Sequence, residues 1–519
     1  MRTTDVDVVV IGGAFSGAAL TVLLKRWLPE SKILIAESST AFDHKVGEAT
    51  VEISAMMIGR VLGLHDFMAR EQLPKHGLRY WFADRPECSL YEMSEVGPRE
   101  VPRLPAYQLD RATTDERLLA LAAEVGGEVL RPAKVTAFEL GWPESRVTIE
   151  DAQGKREVTT RWVVDASGRH AVVARKKGIL KNNHEHPTAA AWGRWSNVTD
   201  LDGTAILGTD PRHPNLPPIG AARRLATNHF CGHGWWCWVI PLKNGETSIG
   251  VVYDKRHFNW PAAGGLMTQY KEFLAAQPGL RELVANATLD EEDFRSYAHL
   301  AYSAERYMDR GWALVGDAAA FLDPYYSPGL DHASLSCYAT AKMIEEDLLG
   351  KLDEACLRRE IADHNERFAR SYRRWFTGLY QDKYEIFGDA ELCSASFLLD
   401  TAMYYTGVIT PIHENLDFLR HPLFGQGIWQ TAAAYRVMRF YNQRLIRLAR
   451  LRRHLGIYGR KNAGWRFFVR TASLGRTGSV DMFKVGLKTW LKAELATHWR
   501  RLLPRRKPLP GVALRATPS

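Results

Sequence analysis

The sequence predicts an α/β fold, because an apolar strand at its start runs into a glycine turn and a helix, and two further apolar strands end on Asp followed by small residues. Val6 to Ile11 reads as a buried strand, Gly12 to Gly17 as a turn, Ala18 to Trp27 as a helix and Ile33 to Glu37 as a second strand. Together they make a βαβ unit, the seed of a Rossmann-type parallel sheet. A helical stretch follows Glu48, then a strand from Gly77 to Phe82 and a helix from Arg111 to Glu124. Val129 to Leu140 and Arg146 to Glu150 form a meander ending in the buried strand Trp162 to Asp165. Trp, Gly and Pro then crowd residues 187–305, where Trp235 to Pro241 and Thr247 to Tyr253 predict an inserted mixed or antiparallel sheet that roofs a ligand. The chain returns to the first fold at Trp312 to Asp317 and enters a long helix. Residues 1–350 are thus expected as the ligand-binding core with its interleaved sheet, and 351–519 as a mostly helical, basic module.

Composition narrows the function class. With 519 residues, 46% hydrophobic and 24% charged, the chain can bury one large core and a second module. The N-terminus passes from Met1 to Thr4 straight into the first strand, without the regions of a signal peptide, so a cytoplasmic location is expected. Six cysteines without C-x-x-C spacing predict reduced thiols and no zinc site. His184 and His186, around Glu185, read as polar loop, and no metal is expected. No apolar run reaches membrane-spanning length. Charge is unevenly distributed: Arg436 to Lys507 holds 20 Lys or Arg against Asp481 and Glu494, in a chain whose net charge is only +9.

Four segments suit different parts of one dinucleotide. In Gly12-Gly13-Ala14-Phe15-Ser16-Gly17 the turn and the following helix offer backbone N–H groups to a pyrophosphate, although Ala14 stands at the usual middle glycine. Glu37 ends the second strand where an acid accepts ribose hydroxyls and disfavours the extra phosphate of NADP. Arg111 opens a helix from which a guanidinium reaches a phosphate, or else it is a surface ion pair. Asp165, after Val163-Val164, and Gly316-Asp317, after Leu314-Val315, lie at strand carboxyl ends, where open α/β sheets bind ligands. Asp317 suits a ribityl hydroxyl, and Val135 in the meander is placed with the same set. The cofactor these segments describe is FAD.

Three strings add a resemblance. Trp236-Cys237-Trp238-Val239-Ile240-Pro241 matches a W-x-W-x-I-P signature, Val46-Gly47-Glu48-Ala49-Thr50 a V-G-E-[AS]-T stretch, and Phe321 to Leu330 an [FL]-x-[DE]-P-x-x-S-x-G segment. Over roughly residues 6–345 the sequence resembles the flavin-dependent halogenases, of the phenol and pyrrole type, within the para-hydroxybenzoate hydroxylase-like FAD monooxygenases. The resemblance implies that Gly47, Glu48 and Ala49 lie near the flavin and that Ser327, Pro328 and Gly329 form its face and the halide site. It implies too that Trp236 and Trp238 keep substrate off the flavin. The catalytic residue it implies is Lys75, in Pro74-Lys75-His76-Gly77. Its ammonium would hydrogen-bond hypohalous acid, or its free amine would capture the halogen; burial, which lowers a lysine's pKa, opens either role. Two departures matter: Pro328 has no N–H to give a halide, and Tyr326 stands where tryptophan-specific members carry a Glu, which argues against free tryptophan.

The expected activity is halogenation, with chloride or bromide, of an electron-rich ring such as a phenol or resorcinol, free or carrier-tethered, by FAD that a separate flavin reductase reduces. The alternatives are hydroxylation of a similar ring and reduction of a lipid-like substrate. Arg436 to Arg453 and Lys484 to Lys492 alternate cations with apolar residues at helical spacing. That pattern reads as a packed module with a solvated basic face, a docking face for an acidic acyl carrier protein, or a rim on an anionic membrane surface. Nucleic acid is not expected, because no recognised binding module accompanies the charge.

Overall fold

Val6–Ile11 pairs in parallel with Gly154–Asp165 on one side and Ile33–Ala36 on the other, and Trp312–Leu314 pairs in parallel with Gly154–Asp165. The computed structural model describes residues 4–202, 220–260, 264–425, 429–470 and 476–502; the Pro-rich end of the sequence beyond Leu503 lies outside the described residues. Val8, Val9 and Val10 are fully buried because helices cover this sheet, and strands buried on both faces need no polar alternation. Phe15–Trp27 packs on Gly329–Leu348 and on Arg111–Glu124. In register, Ile11 lies opposite Asp165 and Ala36, and Asp165 opposite Leu314. The turns that follow these strands therefore meet at one edge. Gly12 adopts φ +96°, and a Cβ on Gly17 would lie 1.9 Å from the Gly12 carbonyl oxygen, so the first turn closes only on glycine.

The second sheet differs from the expected insertion. Its strands follow the order Thr288–Leu289, Thr188–Ser196, Thr247–Asp254, Trp235–Pro241, Thr227–Gly232, Leu78–Phe82, Ser94–Pro98 and Arg466–Val469. It is not confined to residues 187–305. Two strands come from the first hundred residues and one from the C-terminal module, because Tyr80 pairs beside His229 and Phe467 beside Val96. A boundary at residue 350 is crossed in the same way.

Ala390–Tyr404 is apolar around most of its circumference and is packed by Trp429–His454 and Arg476–Arg501. A Cβ on Gly486 would touch Leu398 and Leu399 at 3.0 Å, so the two helices meet closely there. Much of the basic excess is neutralised from outside the basic stretch. Arg452 is fully buried against Asp389 and Glu391, Arg450 and Arg453 reach Glu385, and Arg460 and Lys461 reach Glu391. Burial opposes ionisation of Glu391, yet its cationic neighbours hold the carboxyl down to about 2.

Candidate active site

At the shared edge of the first sheet, Glu37 is oriented before any ligand arrives. Gly13 N–H donates to one carboxylate oxygen at 2.7 Å, and the Ser39 amide and hydroxyl donate to the other at 2.8 and 2.7 Å. The first bond into helix Phe15–Trp27 runs from Ala18 N–H to the Ala14 carbonyl, so the amides of Ser16 and Gly17 open from the helix end as an anion site. Glu37 exchanges backbone bonds with Leu130 and Ala133, which brings the meander alongside, with Val135 at a register shift in its ladder. The Asp317 carboxyl has no hydrogen-bond partner among the described residues; burial raises its pKa, while Arg169 and Arg111 pull it down. An open helix end, an oriented acid at residue 37 and a second unengaged acid at residue 317 fit the pyrophosphate, ribose and ribityl chain of FAD.

Asp165, expected to touch the cofactor, turns its carboxylate inward. It accepts from the Ser167 amide and hydroxyl and from Val173 N–H, and so shapes its own turn. Arg111 is no surface pair either: it is largely buried, grips Asp115 through both guanidinium edges, and donates to the Val46 carbonyl at 3.0 Å.

Arg111 braces the segment Val46 to Thr50 from one side, and Arg194, a residue the sequence did not single out, braces it from the other. Arg194 donates to the Lys45 carbonyl at 3.1 Å, to Glu48 at 2.6 Å and to Asp293 at 2.7 Å, with all three side chains buried. The Glu48 carboxylate, expected near the flavin, is therefore committed to this ion triad; burial pushes its pKa up and Arg194 opposes that rise. Gly47 has φ +93°, and a Cβ there would lie 2.7 Å from the Arg111 guanidinium, which explains the glycine between the two braces. Ala49 bridges to Gln108.

Thr50 ends this segment, and its carbonyl accepts from Lys75 Nζ at 2.9 Å. Lys75 is 4% exposed and lines a cavity of about 140 Å³. Glu52 and Asp331 line the same cavity, each held by a tyrosine: Tyr405 donates to Glu52 and Tyr404 to Asp331, both at 2.5 Å, while Ser54 N–H meets Asp331 at 2.9 Å. Burial lowers the Lys75 pKa to about 8 against the pull of Glu52 and Asp331, and burial raises Asp331 to about 7. Apolar walls come from Leu104, Leu379, Phe397, Phe424, Met438 and Met482.

Tyr326 and Ser327 take left-handed backbones, φ 74° and 57°, a strained pair for residues with side chains. The turn leads Tyr326 to the cavity, where its hydroxyl donates to Asp400 at 2.9 Å. Asp400 is buried with Lys383, Tyr441 and Asn442, another polar cluster missed in the sequence. Of the expected halide-site residues, Ser327 gives its N–H to the Pro324 carbonyl and Pro328 has none. Gly329 begins the helix whose first bond runs from His332 to Pro328, so its amide is the open one of the three.

A family model described as tryptophan halogenase matches residues 93–380, more than half of the chain. The chain belongs to the tryptophan halogenase family. It is accordingly an FAD-dependent oxidoreductase of the halogenating kind. It is 25% identical over 434 residues to the flavin-dependent halogenase chlA of Dictyostelium discoideum, covering 77% of this chain and 69% of the relative. To the sulochrin halogenase gedL of Aspergillus terreus it is 25% identical over 375 residues, 67% of this chain and 64% of that one. The crystal structure of halogenase PltM with phloroglucinol and FAD shares the fold at a TM-score of 0.70 and 16% identity, over 94% of this chain and 96% of that one.

In this halogenase, neither Trp236 nor Trp238 lines the Lys75 cavity. Trp236 contacts Tyr325 and His229 at ring distances of 5.4 and 5.3 Å, His229 stacks on Tyr80 at 4.9 Å, and Tyr80 meets the cavity residue Phe397 at 5.0 Å. Trp236 stands behind a layer of rings, and neither indole touches the cavity. Trp236 is held by a buried relay: its N–H donates to the Tyr384 hydroxyl, Tyr384 donates to Asp323, and Asp323 meets His186 at 2.8 Å. His186 lies in the expected loop between two strands, but its side chain is a buried support. Among the described residues, no group of three or more metal-ligating side chains is present.

Proposed function

We propose that the enzyme halogenates a phenolic ring seated against Lys75. The observation that carries this reading is a buried lysine sharing one mostly apolar cavity with two tyrosine-held carboxylates. When bound and reduced, FAD supplies hypohalous acid from oxygen and halide. Lys75 then holds that acid through its ammonium, and the unoccupied oxygen of Glu52 accepts the phenol's O–H. As the ring carbon bonds the halogen, the halogen–oxygen bond breaks and Lys75 protonates the departing hydroxide to water. Asp331 takes the ring proton. The relatives named for sulochrin and crystallised with phloroglucinol support a phenolic substrate, and Tyr326, in place of an acid, speaks against free tryptophan.

The test is mass spectrometry of candidate phenols incubated with the enzyme, FAD, a separate flavin reductase and bromide. A bromine isotope doublet is expected. Hydroxylation is the second reading, favoured by the spent Ser327 amide and by Pro328; a gain of one oxygen without bromine would establish it.

The pH profile checks the two proton roles separately. Asp331 must be ionised and Lys75 protonated, so kcat/KM should rise as pH passes about 7 and fall as it passes about 8. Asp331→Asn should remove the rising limb only. A rate that climbs steadily to pH 9 would exclude the ammonium as the working form.

A further inference from the structure

The C-terminal helices show two opposite faces. On Arg476–Arg501, Met482, Gly486, Ala493 and Thr497 point inward, and Met482 reaches the cavity. The outward stripe runs through Val485, Lys488, Leu491, Lys492, Leu495 and Trp499, with Leu502 just past the helix end, over about 26 Å. The neighbouring helix Trp429–His454 adds Trp429, Arg436, Val437, Arg439, Phe440 and Arg447 to the exposed surface, joined through the contact of Phe440 with Trp490. Trp429, Phe440, Leu495, Trp499 and Leu502 are each 65–79% exposed, far beyond what a solvated basic face needs. Lys488, Lys492, Arg436, Arg439 and Arg447 have no ion-pair partner among the described residues, whereas the cations nearer the core are paired.

We infer that this face seats the enzyme on an anionic lipid surface, with the helices lying in the interfacial plane. Bulky apolar and aromatic tips interspersed with cations match a headgroup layer, where the tips enter the acyl boundary and the cations meet lipid phosphates. A second copy would set cations against cations across a shared axis. An acidic carrier protein would be satisfied by the charges and leaves the large apolar tips unexplained. No helix of the described residues is long and apolar enough to cross a membrane, so the contact is peripheral. The helix residues Met438 and Met482, together with Val469 and the exposed Arg470, line the cavity itself, so the lipid-facing helices also wall the substrate site. If that cavity is the substrate site, as proposed above, the substrate is a phenol with enough hydrocarbon to partition into the bilayer.

The experiment is flotation of the full-length, FAD-loaded enzyme with phosphatidylcholine vesicles, with and without about one-third phosphatidylglycerol, at low and high salt. The bound fraction should be at least about tenfold higher on anionic vesicles at low salt, and should collapse in both Leu495→Ser/Trp499→Ser and Lys488→Glu/Lys492→Glu. These side chains are exposed, and unchanged FAD content will show that the variants fold. Flotation that survives both double substitutions would overturn the assignment. So would the absence of flotation together with a dimer that the apolar variant dissolves, or with retention of the enzyme on an immobilised acidic acyl carrier protein. The readout uses no turnover, so it stands apart from the test of halogenation.

Discussion

Lys75→Ala is expected to lower kcat/KM for halogenation by roughly 10³-fold or more, the scale of losing a general acid that also holds the reagent. FAD binding should be unchanged, because Lys75 meets the segment Val46 to Thr50 at the Thr50 carbonyl and none of the groups that fit the cofactor. The cost to folding should be small: the alanine removes a cation that burial already disfavours, and leaves one carbonyl without its donor. Steady-state halogenation and the flavin absorbance of the purified variant decide the matter together. A folded, yellow variant that still halogenates at the parental rate would remove Lys75 from the chemistry.

Arg194→Met should destabilise the fold by about 3–5 kcal/mol, because Glu48 and Asp293 would remain buried without their common counter-charge. Chemical denaturation of the FAD-free protein measures this. The deficit should depend on pH with a definite sign. In the variant, burial and the charge of Asp293, opposed only by the Ser248 hydroxyl, raise the folded pKa of Glu48 above the unfolded value, so the native state takes up protons and recovers stability as pH falls. Adding Glu48→Gln should restore part of the loss at neutral pH, since a neutral amide is easier to bury than an unpaired carboxylate. A loss below about 1 kcal/mol would mean that the triad contributes little net energy.

The parallel sheet was legible because its strands are written as uninterrupted apolar runs, most of them ending on small residues or Asp, and those runs pair as expected. The second sheet was legible only in part. Leu78–Phe82 reads as a strand, but nothing local says that its neighbour is Thr227–Gly232, and Arg466–Val469 has its partner some 370 residues earlier. Lys75 could be singled out by the strings around it, whereas Glu52 and Asp331 could not. Their meaning comes from Tyr404 and Tyr405, which approach from a helix the sequence offered only as part of a basic module. Arg194 was hidden for a similar reason: an Arg in a Trp-rich strand gives no hint of a carboxylate 146 residues away. Asp165 was ambiguous in the opposite way, since an acid after a strand serves a ligand or its own turn, and its carboxylate bonds its own turn.

Arg466–Val469 is the outermost strand of its sheet, and with Met482 it lines the cavity. During synthesis, every residue that fits FAD leaves the ribosome more than a hundred residues before these. A nascent or prematurely terminated chain can therefore acquire a flavin site before it owns a vessel to confine what the flavin makes. On the proposed reading, confinement of the oxidant waits for Val469 and Met482.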